Sequence, residues 1–381
     1  MSAVELEPVR GRLAQLSRGH TSADVADAMR ASGQVVTDTA LLATVDALRR
    51  ESVGAGLLDP LLRLSGVTDV LVNGPERVYV DRGEGLELTG VKFESDLAVR
   101  RLAQRIASSV GRRLDDASPF VDARLQDGTR VHAVLGSLAS PGTCLSLRMP
   151  ARRAFALADC VAGGSLSAGA EQLLRQLVTA RLAFMISGGT GSGKTTLLAA
   201  LLGVVPDDQR IVIVEDSREL APDHPHVVWL EGRPANAEST GAITLTELVR
   251  QSLRMRPDRL VVGEVRGAEV RDLLAAMNTG HEGGCATVHA NSATDVPARL
   301  EALAALGGMS RPALHAQLAA ALDLVLHIGR QSGRRRLEEI HVLAVDPGTG
   351  LVRTECALDF LTDGRTRSGP GVRQLERLLS R

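Results

Sequence analysis

The chain has 381 residues, enough for two domains, and 44% of them are hydrophobic, enough to build real cores. Aromatic residues make up only 2%, which excludes a base-stacking surface. A formal net charge of −1 gives no global steering toward nucleic acid or anionic lipid.

In chain order, residues 1–56 carry apolar residues at helical spacing. Leu41, Leu42, Val45, Leu48 and Val53 predict an amphipathic helix ending near Gly54, within a helical N-terminal extension. The Met1–Glu7 segment lacks the basic and apolar regions of a signal peptide, and no apolar run approaches a membrane span. A soluble, intracellular protein is expected.

Residues 57–150 read as a small α/β domain. Val67–Val72 and Arg77–Val80 are predicted strands around an Asn73-Gly74-Pro75 turn, and Leu97–Val110 carries a helical stripe. Val121–Leu125 and Thr129–Val134 form a predicted hairpin, and Cys144–Arg148 a closing strand. Residues 151–164, with Gly163-Gly164, read as a linker.

From residue 165 to 381, strands and helices alternate, which implies a largely parallel sheet with helices on both faces. The expected fold class is therefore α/β, with a smaller α/β N-terminal domain in front. Leu324–Ile328, Leu337–Val345 and Leu351–Asp359 look like closing strands. Residues 363–370 read as a polar, mobile segment before a short terminal helix. The cysteines, Cys144, Cys160, Cys285 and Cys356, form no C-x-x-C pair and read as reduced thiols.

The strongest local signal is Gly188-Gly189-Thr190-Gly191-Ser192-Gly193-Lys194-Thr195-Thr196, which fits the Walker A pattern G-x-x-x-x-G-K-[ST]. It lies between a predicted strand, Leu182–Ser187, and a predicted helix, Lys194–Leu202, the context that the motif needs. Of the 44 basic residues only Lys92 and Lys194 are lysine. Position 194 needs a compact ammonium that can enter a ring of backbone N–H groups, where a planar guanidinium is too large. The helix N-terminus favours phosphate, and Thr195 is placed to ligate Mg²⁺.

Three further clusters follow. Ile213-Val214-Glu215-Asp216 puts acids at a strand end, where open α/β sheets bind ligands. Arg259–Val262 leads an apolar strand into Gly263-Glu264. Asn278–Asn291 contains His281, Cys285 and His289, whose spacing of four would align zinc ligands only on a helix, and Gly283-Gly284 argues against a helix there. Bland alternatives exist: a solvated strand end for Glu215, a helix-capping role for Glu264, and buried structural histidines.

Together, in this order, the clusters resemble the Walker A, Asp box, Walker B and His box of the secretion ATPase superfamily. The His box wording and Arg254-Met255-Arg256-Pro257-Asp258 look most like the Tad/Flp pilus and conjugal-transfer branch. The resemblance implies a RecA-like P-loop domain over residues 165–381, preceded by the smaller α/β N-terminal domain, in a cytoplasmic ATPase, peripheral at the membrane, that hydrolyses ATP with Mg²⁺. It implies a homohexamer acting on an inner-membrane platform protein; the charge and aromatic content lead us to expect no direct nucleic-acid partner. Glu264 is the first choice to polarise the attacking water and Glu215 the competitor, with Thr195, Glu215 and Glu264 around Mg²⁺. His289 would sense the γ-phosphate, and His281 would fix its loop. Arg130 and Arg148, with Arg124 third, would reach the nucleotide from the first domain. The alternative is a type II secretion or retraction-type pilus motor, weakened for extension motors by the missing C-x-x-C. A DNA translocase is disfavoured by charge and aromatic content.

Overall fold

A computed structural model describes residues 55–380 except 84, 126, 151–154, 234, 236–239, 281 and 332–333, together with 8–9, 12–13, 21–34, 36–37, 40–41 and 44. The chain divides into two compact units, Met1–Pro150 and Ala151–Arg381. Among the described residues, no helix is long and apolar enough to cross a membrane.

In the first unit, helix α1 (Ser22–Ala31) is opened by a capping box in which Thr21 and Asp24 satisfy each other's backbone donors. Most of the amphipathic helix expected near residues 41–53 lies outside the described residues. The short helix α2 (Asp59–Leu62) leads into β1 (Asp69–Asn73), β2 (Arg77–Asp81) and β3 (Leu86–Leu88). Helix α3 (Asp96–Ser109) follows, then β4 (Phe120–Arg124), β5 (Arg130–Val134) and β6 (Cys144–Arg148). These six strands form one sheet in the order β3-β2-β1-β6-β5-β4, antiparallel throughout. Val70, Val72, Val131, Ala133, Leu145 and Leu147 alternate onto one buried face, joined by Val99, Leu102 and Ile106 of α3.

The second unit opens with α4 (Leu157–Ala162), inside the stretch expected to be a linker. Leu157 and Cys160 are buried in the main core, so this segment is held by packing rather than left as a tether. Next come α5 (Ala168–Thr179), β7 (Phe184–Gly188), α6 (Lys194–Leu202), β8 (Ile211–Glu215), β9 (Val227–Glu231) and α7 (Leu245–Ser252). They are followed by β10 (Arg259–Val262), α8 (Glu269–Met277), β11 (Cys285–His289), α9 (Val296–Leu306) and α10 (Arg311–Ala321). The chain closes with β12 (Leu324–Gln331), β13 (Arg334–Val345), β14 (Val352–Phe360), β15 (Thr366–Ser368) and α11 (Val372–Leu379).

The nine-stranded sheet runs β15-β14-β13-β12-β7-β11-β10-β8-β9. From β12 to β9 every pairing is parallel, with an apolar core on each face. The closing strands instead form an antiparallel extension, β12 through β15. Thr366–Ser368 pairs with Leu358–Phe360, so part of the stretch read as mobile is a sheet edge.

Candidate functional site

The parallel half of the sheet positions the site. Neighbouring strands β7, β11, β10 and β8 all point the same way. Their C-terminal ends therefore place Gly188, His289, Gly263-Glu264 and Glu215 along one edge, where open α/β sheets bind ligands.

The phosphate-loop segment joins β7 to α6. A Cβ on Gly188 would stand 2.2 Å from the Ile328 backbone oxygen, so only glycine lets β12 lie this close. Gly189, Thr190 and Gly191 are exposed at the crest, Gly193 is half-buried, and Ser192 is buried. Thr195 and Thr196 are half-buried on the first turn of α6.

Lys194 is only 7% exposed. Its ammonium folds back over the loop and donates to Gly188 O at 2.9 Å and Gly189 O at 2.8 Å. Nζ also lies 3.3 Å from His289 Nδ1. Burial holds its pKa below the ordinary lysine value, opposed by the Glu264 carboxylate.

An ammonium has no lone pair, so His289 Nδ1 accepts and Nε2 carries the proton. Nε2 lies 2.8 Å from Glu264 Oε1, and Arg266 Nη2 donates to Glu264 Oε2 at 2.6 Å. Burial, reinforced by the Lys194 charge, holds His289 below its ordinary value of 6.5 against the pull of Glu264. The imidazole is therefore neutral at pH 7. Lys194, His289, Glu264 and Arg266 form one continuous chain of polar contacts.

Glu215, 5% exposed, ends β8. Its Oε1 accepts from the Glu219 and Leu220 N–H groups, each at 3.1 Å, while Oε2 is buried without a hydrogen-bond partner. Burial pushes its pKa up to about 7, against those two backbone bonds. The side chain lies across Gly263, where a Cβ would stand 2.5 Å from Glu215 Cγ. The Thr287 hydroxyl donates to Gly263 O at 2.6 Å, fixing this turn to β11.

The helix-capping role open to Glu264 is filled by another acid. Glu269 Oε1 accepts from the Arg266 and Gly267 N–H groups at 2.6 and 2.7 Å, which leaves Glu264 for His289 and Arg266. Cys285 is wholly buried, its thiol pushed up to about 12, so it faces the core rather than a metal with His289. His281 lies outside the described residues.

Two residues were missed by the sequence reading. Arg266 had a signal: it stands two residues from Glu264 in the same Gly263–Gly267 cluster. Arg335 had none, because its Nε donates to Gly191 O at 3.1 Å from a strand 144 residues along the chain.

Arg130 and Arg148 belong to the other unit. They are direct cross-strand partners on β5 and β6, and Arg124 on β4 opposes Arg130 in the same register. The three arginines thus share one row across β4, β5 and β6. Arg148 lies 3.6 Å from Asp69 in a partly exposed ion pair.

A sequence profile described as "Type II/IV secretion system protein" matches residues 51–357. The chain belongs to the type II/IV secretion ATPase family. It is 58% identical over 313 residues to a putative conjugal transfer protein of Mycobacterium tuberculosis, covering 80% of this chain and 89% of that protein. It is 32% identical over 283 residues to the conjugal transfer protein TrbB of Rhizobium radiobacter, covering 72% and 84%. The crystal structure of the ATPase DotB from Legionella pneumophila matches with a TM-score of 0.53 at 19% identity, over 77% of this chain and 80% of that one, and shows the shared fold. Secretion ATPases are P-loop ATP hydrolases, so nucleotide binding and ATP hydrolysis are the chemistry of this chain.

Proposed function

We propose that the chain is the motor ATPase of a Tad/Flp-type pilus or of type IV-like secretion or conjugal transfer. The contact of Lys194 with His289, and of His289 with Glu264, carries this reading. It joins the phosphate loop to the two clusters that most resemble this family. The identity with the Mycobacterium tuberculosis protein supports the conjugal-transfer side.

In the proposed site, the loop from Gly188 to Thr196 wraps the phosphates, and Lys194 turns from its loop carbonyls to the β- and γ-phosphates. Thr195, Glu215 and Glu264 offer the hard oxygen donors that suit Mg²⁺, and the orphaned Oε2 of Glu215 fits such a role. Bound there, Mg²⁺ would neutralise phosphate charge. Glu264 is the proposed water-polarising carboxylate, because it is the one linked through His289 to Lys194. Glu215 is its competitor. His289, neutral and donating through Nε2, passes a change at the phosphate loop to Glu264. Arg130 and Arg148 are the proposed phosphate ligands from the first unit, which would make domain closure depend on ATP.

Further parts of the proposal are a homohexameric ring, an inner-membrane platform protein as partner, and a cytoplasmic, membrane-peripheral location. Particle images with Mg²⁺, with and without a non-hydrolysable ATP analogue, test the motor. A six-fold ring that changes shape with nucleotide is expected. A monomer under every condition would overturn the ring.

A further inference from the structure

We propose that Glu339, His341 and Cys356 form a zinc-type metal site that pins β13 to β14 in the antiparallel extension of the sheet. One donor atom from each of the three residues lies within 4.8 Å of the others. Among the described residues this is the one such group of three.

The placement follows from the strands. Glu339 and His341 are two residues apart on β13 and project to one face. In a regular ladder, the pairings Glu339 with Asp359 and Ile340 with Leu358 would set His341 opposite Ala357. A bulge between Ile340 and His341 instead sets His341 opposite Cys356. Ala357 turns into the core on the other face, and Cys356 joins the two β13 side chains. Bulges often re-aim a side chain near functional sites.

His341 is the buried member of the group. It is 3% exposed, and its Nδ1 is buried with no hydrogen-bond partner. Its Nε2 lies 3.0 Å from Glu339 Oε2. An imidazole, a thiol and a carboxylate whose donor atoms lie this close together are a donor set for a borderline-soft divalent ion. Imidazole, thiolate and carboxylate together suit zinc better than Mg²⁺ or Ca²⁺. Zinc–ligand bonds of about 2.0–2.3 Å bring tetrahedral ligands to roughly 3.5 Å apart, so side-chain rotation closes the group. Binding releases the Cys356 proton to solvent, and water fills the remaining position.

The site is separate from the phosphate loop and from the Mg²⁺ donors proposed above. Its expected effect is structural. It fastens β14 to β13, the strand whose Arg335 donates to the loop carbonyl of Gly191.

The test uses the full chain, stripped with EDTA and desalted, without nucleotide or Mg²⁺. Zinc chloride is titrated in by calorimetry, and cobalt(II) is added in parallel. One equivalent of zinc, a cobalt–thiolate charge-transfer band, and zinc protection of Cys356 from alkylation are expected. Loss of an outer-sphere partner already weakens metal binding about 10–100-fold, so Cys356→Ser and His341→Asn should each weaken it by more than about tenfold. Cys356→Ser should keep the wild-type circular dichroism and ATP turnover. If His341→Asn does not fold, the half-buried Cys356→Ser decides alone. No stoichiometric zinc, or equal binding by wild type and Cys356→Ser, would overturn the site and leave only a Glu339–His341 hydrogen bond.

Discussion

Lys194 Nζ lies 3.3 Å from His289 Nδ1, although the two are 95 residues apart. The cause is register: His289 is the direct parallel partner of Gly188, and the Lys194 side chain folds back onto the Gly188 carbonyl. The ammonium of the phosphate loop and the imidazole at the end of β11 therefore share one place at the sheet edge. Any ligand that draws the ammonium away alters the surroundings of His289 and, through it, Glu264.

Lys194→Ala should abolish ATP turnover, and Lys194→Arg should lower it by at least about 100-fold, the range for losing one transition-state donor. A planar guanidinium is larger than the ammonium that here sits between two carbonyls and an imidazole. Steady-state phosphate release checks this, and near-wild-type turnover by the arginine variant would sink the point-charge argument.

Acid should silence the site through His289. Its pKa lies below the ordinary value, so the imidazole is neutral at pH 7 and charges only as pH falls through that lowered value. The charged ring would face the Lys194 ammonium and break the contact. Turnover should show an acid limb that His289→Gln lacks, with an overall loss of about 100-fold in the variant. A pH–rate profile reads both.

Glu215 should make stability depend on pH. Its folded value, about 7, is raised above the ordinary 4.5 by burial, so between these values the folded state binds more protons than the unfolded chain. Its contribution is complete below pH 4.5 and is lost as pH rises through 7, by on the order of 3 kcal/mol. Glu215→Gln should flatten this dependence and melt higher than wild type at pH 8, in the absence of nucleotide and Mg²⁺. Parallel melting curves for the two proteins from pH 5 to 8 would refute the buried-acid account.

Gly263→Ala should disturb Glu215 directly. The new Cβ would stand 2.5 Å from Glu215 Cγ, in a turn also tied by Thr287. A destabilisation of about 1–3 kcal/mol is expected from such overpacking, together with reduced turnover. Urea denaturation measures the first and phosphate release the second.

Arg130→Ala with Arg148→Ala should lower turnover by about 100-fold or more while the fold survives. The long, partly exposed Arg148–Asp69 pair contributes little stability, so its loss should leave the fold intact. Unchanged kinetics in a folded double variant would take the first unit out of the nucleotide site.

Much of this was legible locally. The Gly188–Thr196 loop has fixed spacing and needs one strand before it and one helix after it. The hairpin of β4 and β5 was visible from alternation and its turn. Local patterns failed where packing or long-range pairing ruled. Helix α4 exists because Leu157 and Cys160 found a core. Strand β15 is polar and short, and only its pairing with β14 orders it. Arg335 reaches Gly191 across a distance that no periodicity encodes.

The sequence by itself determined the chemistry: a lysine in a glycine loop, two acids after apolar strands, a histidine box, and hence an ATP hydrolase of the secretion family. Only the tertiary structure decided which of these groups touch. In the chain, Glu215 and Glu264 precede His289. In the sheet, the order from the phosphate loop is His289, then Glu264, then Glu215, because β11 inserts next to β7 and pushes β10 and β8 outward. Strand order is set by which apolar faces bury together, a property of the whole core that no single motif contains.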